Sequence, residues 1–251
     1  MAGSRIDYLR FAPWLGDSVV KIIGHCAKHT VARWRLVKQV LAIVLCCAYL
    51  RAQISGPERR VEGNVITSER APAVRVHVPK SAEYVGADRW VLYGMADCEL
   101  HAFVDVDAQK NVERLYWVQF EGYLPTRPEL KHTYDSPTHA NLSGMDFYVD
   151  TWVRTKDAKT QPGSDLEHIL ALIGAKGYRM PEGMMYVRLV HLLDEQKRKE
   201  LMIIYGEDVA QSGFSAAELQ PGGEAHDRWL SIVQGLLERA EKKVVVAQLK
   251  P

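Results

Sequence analysis

Apolar and polar residues alternate most clearly between Asp88 and Tyr123, and the rest of the chain reads outward from there. Arg89–Tyr93, Asp97–Asp107 and Glu113–Tyr123 are three runs rich in β-branched and aromatic residues, parted by short polar or glycine-containing breaks. That pattern predicts an antiparallel meander. In the second run Cys98, Leu100, Ala102, Val104 and Val106 share one face, and Asp97, Glu99, His101, Phe103, Asp105 and Asp107 the other, because successive side chains of a strand point to opposite sides. With the turn placed at Ala108–Asn111, between Val106 and Val112, Cys98 comes opposite Phe120, Leu100 opposite Val118 and Ala102 opposite Tyr116. The same register sets Glu99 against Gln119, His101 against Trp117, Phe103 against Leu115 and Asp97 against Glu121.

Val74–Val78 alternates and stops at Pro79, as a short strand does. The polar stretch before it, residues 53–73, reads as a linker or, around Val61–Thr67, as an edge strand. Leu124–Gly144 holds Pro125, Pro128 and Pro137 and reads as a long irregular loop. It carries His132, Tyr134, Asp135 and His139, which have no recognised ligand spacing and read as a solvated loop. Asn141-Leu142-Ser143 matches a glycosylation sequon. Met145–Thr155 resumes as strand. Ser164 and Glu167 form a capping box that opens a helix burying Leu166, Ile169, Leu170 and Ile173 and ending at Gly177, with His168 off the buried stripe. Met184–Leu193 and Leu201–Tyr205 are nearly continuous apolar runs around a charged tip, so their hairpin belongs where both faces are covered. Ser215 and Glu218 repeat the capping box. The final stripe of Trp229, Ile232, Val233, Leu236, Leu237, Ala240 and Val244 predicts a long helix over residues 224–245.

Strands gathered before and after one helix, without βαβ alternation, argue against a doubly wound parallel sheet. The expected fold class is α+β: a curved antiparallel sheet of roughly six or seven strands, with the mid-chain helix and the long C-terminal helix packed on one face. Residues 74–251 then form a single domain.

Composition changes the picture mainly at the front. The chain of 251 residues is 47% hydrophobic and 25% charged, ordinary globular material, and its net charge of +1 hides an asymmetry. Residues 1–52 hold eight Lys/Arg against two acids, which leaves the remainder at a net −5. A mildly acidic body without a basic stripe argues against nucleic acid as a partner. Arg33, Arg35 and Lys38 precede the uncharged run Val40–Leu50, the layout of a secretory signal, too short for a membrane span. Cleavage after Ala48 or Ala52 fits, so the expected protein is secreted or periplasmic, with no stable membrane span once the leader is removed. The thirty residues before Val31 are long for such a leader. Either translation starts near Val31, or the whole front is an organelle-type or membrane-surface segment. Cysteines 26, 46 and 47 fall in this leader. Cys98 alone remains in the body, where it reads as a small core residue and forms no internal disulfide.

No phosphate-binding Gly-rich loop, Gly-x-Ser-x-Gly elbow or His-Glu-x-x-His motif occurs. The candidate chemistry lies on the mixed face of the hairpin, where Glu99, His101, Trp117, Gln119 and Glu121 form one patch in the register above. Aromatics that exclude water and a few fixed polar groups suit a small ligand. The expectation is a non-catalytic binder of a small molecule or protein partner, with no cofactor and no metal ligand set assigned. The alternative is a hydrolase-like enzyme using Glu99, His101 and Glu121, with or without a metal.

Overall fold

The computed structural model describes residues 56–249. The leader, its cleavage sites and Cys26, Cys46 and Cys47 lie outside the described residues. In chain order the strands are β1 (Arg60–Glu62), β2 (Val65–Ser68), β3 (Val74–His77), β4 (Glu83–Leu92), β5 (Ala96–Val106), β6 (Val112–Tyr123), β7 (Thr138–Leu142), β8 (Met145–Thr155), β9 (Gly183–Leu192), β10 (Lys199–Asp208) and β11 (Val245–Gln248). Helix α1 (Asp165–Ala175) falls between β8 and β9, and α2 (Ala216–Leu219) and α3 (Trp229–Lys243) fall between β10 and β11.

The fold is α+β, built on a seven-stranded antiparallel sheet in the order β4-β5-β6-β10-β9-β8-β7. Two meanders, β4 to β6 and β7 to β10, are joined where β10 returns to β6. A four-stranded antiparallel sheet, β1-β2-β3-β11, packs against one face. Of the two readings of residues 53–73, the strand is the one adopted, with Val61 pairing with Ile66. The apolar stripe of α3 buries Leu236 and Ala240 in the same layer as the small sheet. Helix α1 inserts Ile169 and Ile173 into the layer on the opposite face. The two helices therefore take opposite faces of the large sheet rather than sharing one. The unbroken apolar runs of β9 and β10 required this, since Leu201, Ile203 and Tyr205 point to one layer and Met202 and Ile204 to the other. The chain leaves α3 earlier than the stripe suggested, and Val245–Gln248 becomes an edge strand beside β3.

The β5–β6 register also departs from the expected one. Val106 does face Val112, but the next pair is Asp105 with Arg114, so Glu113 is an extra residue without an opposite partner. The turn itself is held by the Asp107 carboxylate, which accepts from the backbone of Gln109 and Asn111, each at 2.8 Å, with Lys110 at φ +65°. A bulge of one residue shifts all the pairing beyond it and exchanges the faces of one strand relative to the other. Cys98 therefore faces Glu121, Leu100 faces Gln119 and Ala102 faces Trp117.

Candidate metal centre

The bulge divides the five residues expected to form one patch. Glu99 and His101 project toward the small sheet, while Trp117, Gln119 and Glu121 project toward α1, and the sheet lies between the two sets. Glu99, His101 and Glu121 do not converge, so the residues of the hydrolase alternative do not assemble a site.

On the first face Glu99 serves as a tie between the sheets. Its carboxylate accepts from the backbone of Glu58 and Arg59 (2.8 Å each), from Arg59 Nη1 (3.0 Å) and from His101 Nε2 (2.9 Å). Burial alone would raise its pKa, but the His101 bond, the two backbone donors and the Arg59 charge override it and hold the carboxyl at about 2. Four donors occupy its four lone-pair directions, which leaves nothing for a ligand.

The second face carries a chain of polar groups into a closed site. Trp117 Nε1 donates to Gln119 Oε1 (3.0 Å), and Gln119 Nε2 donates to Glu121 Oε2 (3.2 Å). Glu121 sits directly opposite Glu200 at the start of β10. Directly opposite side chains in a sheet are ~5 Å apart, so two carboxylates there repel unless a proton, a cation or a donor lies between them.

Those groups are covered by the segment between β6 and β7, which is irregular only as far as Pro137, since Thr138–Leu142 is a strand. The segment is not a solvated loop. His132, Tyr134 and Ser136, alternate residues of the strap, reach down onto the sheet, the first two onto β10 and the third onto β8. His132 Nδ1 lies 3.0 Å from Glu200 Oε2, Tyr134 Oη donates to the same oxygen at 2.7 Å, and Ser136 Oγ donates to Asp150. The His132 ring stacks on Tyr123 at 4.4 Å, and its backbone N–H donates to the Lys197 carbonyl. Arg198 fixes the start of the strap, donating to the carbonyl oxygens of Tyr123, Leu124, Arg127, Pro128 and Leu130.

One ligand atom each from Glu121, His132 and Glu200 lies within 4.8 Å of the others, and no other cluster of this kind occurs among the described residues. Glu200 is 3% exposed and His132 6%. His132 Nε2 is buried without a hydrogen-bond partner, as is Oδ1 of Asp165 at the start of α1. A buried polar atom left without a partner is costly and marks a missing water or ion. Burial, followed by the charges of Glu200 and Asp165, pushes the Glu121 carboxyl up to about 7. Burial also raises Asp165. For His132 burial acts downward, but the bond to Glu200 and the charges of Glu200 and Glu121 prevail and raise it. The cluster thus retains protons near neutrality that a divalent cation would displace. One imidazole and two carboxylates suit zinc, manganese or ferrous iron, and supply fewer oxygens than calcium needs.

No protein-family profile matches the chain, and no curated protein or solved structure matches it. Of the cluster, sequence reasoning reached only Glu121 as a binding residue. Glu200 was assigned to the charged hairpin tip, and its facing of Glu121 follows from a β6–β10 pairing that spans the whole strap and α1. The alternation His132-x-Tyr134-x-Ser136 inside a proline-bounded stretch was the one signal for the strap.

Proposed function

We propose that the protein binds a divalent cation through Glu121, His132 and Glu200, and that this cation is the small ligand of its sheet face. The observation that carries the reading is the cluster itself, one ligand atom each from the facing Glu121 and Glu200 and from His132 within 4.8 Å of one another; the buried, unpartnered Nε2 of His132 supports it. Three protein ligands leave a coordination position open for water or a further ligand. A secreted or periplasmic setting is part of the same proposal and rests on the basic segment and uncharged run at Arg33–Leu50. The test is titration of metal-stripped, full-length protein with Zn(II) and Mn(II) in competition with a chromophoric chelator. Wild type should bind one equivalent, and Glu200→Gln and His132→Gln should each weaken binding by more than the roughly 10–100-fold typical of losing only an orienting partner of a ligand. Absence of saturable binding in wild type, or wild-type affinity in both variants, would refute the reading.

A further inference from the structure

A second site stands on the other face, where the first residues of β5 and β10 and the last of β6 meet the segment running from Glu58 to Ala71. A cleft of about 420 Å³ lies there, lined among others by Arg59, Arg70, Phe120, Leu124, Pro125 and Lys199. This volume falls within the range of small-molecule sites, which favour junctions between packed layers.

The arrangement of Arg59 is what gives the cleft a chemistry. Its backbone N–H and Nη1 are both bonded to Glu99, and its guanidinium carbon lies 4.4 Å above the centre of the Phe120 ring. The side chain is 15% exposed. Nε and Nη2 make no hydrogen bond among the described residues, so one edge of the fork remains available while the rest is clamped. A clamped guanidinium presents two parallel donors that match a carboxylate, and little side-chain freedom remains to be lost on binding.

The surrounding charges point the same way. The Asp97 carboxylate accepts from Arg89 Nε and Nη2, and Glu58 accepts from Arg89 Nη1. With Glu99 held by Arg59, each of these three carboxylates in the lining is already bonded to an arginine. The Glu121 side chain belongs to the opposite face. Arg70 and Lys199 are exposed cations with no ion-pair partner among the described residues. Arg70 and Lys199 are therefore the cations of the lining without a carboxylate partner, and with Glu121 turned to the other face four cations meet three carboxylates. Phe120, Leu124 and Pro125 supply an apolar wall beside it.

We propose that this cleft binds a small organic carboxylate, its anionic group on the free edge of Arg59 with Arg70 and Lys199 alongside, and its apolar body against Phe120, Leu124 and Pro125. Arg59 and Phe120 lie on the sheet face opposite the cation ligands, while Glu121 and Tyr123 border both sites.

The experiment uses the full-length protein in chelator, so that the cation centre contributes nothing. Benzoate, succinate and inorganic phosphate are the probes, followed by calorimetry and by amide chemical shifts. Saturable binding of benzoate or succinate, with shifts at Phe120–Leu124, is expected. Arg70→Ala and Lys199→Ala should each weaken it several-fold with little change in melting temperature, since neither side chain makes a hydrogen bond or ion pair among the described residues. Arg59→Lys should weaken it about tenfold, because an ammonium cannot present the fork. No saturable binding of either carboxylate would overturn the proposal. So would binding of phosphate alone, or carboxylate binding untouched by both Arg70→Ala and Lys199→Ala, the variants that do not disturb Glu99.

Discussion

Replacing Arg198 with alanine tests whether the strap builds the cation centre. The guanidinium donates to five carbonyl oxygens, at 2.8–3.3 Å, along the first turn of the strap. Hydrogen bonds to a charged donor contribute about 1.5–3 kcal/mol each where water is excluded. Several of these carbonyls border solvent and can be rehydrated, and bonds that share one donor group do not add. The expected loss of stability is therefore about 2–4 kcal/mol, well below the simple sum. The larger effect falls on the site, because His132 is held over Glu200 only while the strap lies flat. Cation affinity should fall about 10–100-fold, comparable to losing an orienting partner of a ligand. Urea unfolding gives the first quantity and chelator competition the second, and limited proteolysis should report new cleavage within residues 124–137. An Arg198→Ala protein with wild-type cation affinity and an uncut strap would refute the reasoning.

Leu236 is 0% exposed in the layer shared with the small sheet, so Leu236→Asp buries a charge without a partner and should cost about 4 kcal/mol or prevent folding. A melting curve like that of wild type would mean that α3 is not docked there. Glu99, held at about 2 against an ordinary 4.5, contributes about 3 kcal/mol at 1.36 kcal/mol per pKa unit. Because the folded pKa is the lower one, that contribution is complete above pH 4.5 and fades as the pH falls through about 2. Glu99→Gln should thus be less stable at neutral pH and show a flatter acid limb in chemical denaturation; an unchanged acid limb would count against the tie between the sheets. N-terminal sequencing of natively expressed protein should find a start near Tyr49 or Gln53, and an intact Met1 would overturn the secretory reading.

The class of fold was legible because its signals are local. Alternation in β5, the serine caps of α1 and α2 and the α3 stripe each depend on residues a few positions apart, although only Ser215 and Glu218 close the full capping box and Glu167 accepts from Gly163 instead. The double cover of β9 and β10 was legible too, since a strand apolar on both faces needs two covers. What escaped was set at longer range or by a single insertion. The extra Glu113 cannot be distinguished from an ordinary strand residue in the sequence, yet it exchanges the faces of β5 and β6. It separates Glu99 and His101 from Trp117, Gln119 and Glu121. Glu200 looked like a solvated tip residue because the partner that buries it is supplied by β6 and by a strap more than sixty residues away. His168 reads as exposed from the α1 stripe alone, but it stacks on Trp90 at 4.0 Å and bonds Asp88 from the neighbouring sheet edge. Carboxylates and histidines carry their chemistry in any setting, and only tertiary contact determines which of them meet.

The central claim is that Glu121, His132 and Glu200 close around a cation. Its most direct test is crystallography of the protein grown with Zn(II), with data collected on both sides of the zinc absorption edge. One strong anomalous peak is expected about 2 Å from a His132 ring nitrogen and from an oxygen of each glutamate. No peak at that cluster at saturating zinc, with His132 Nε2 bonded instead to an ordered water or a protein group, would mean that the three side chains do not hold a cation.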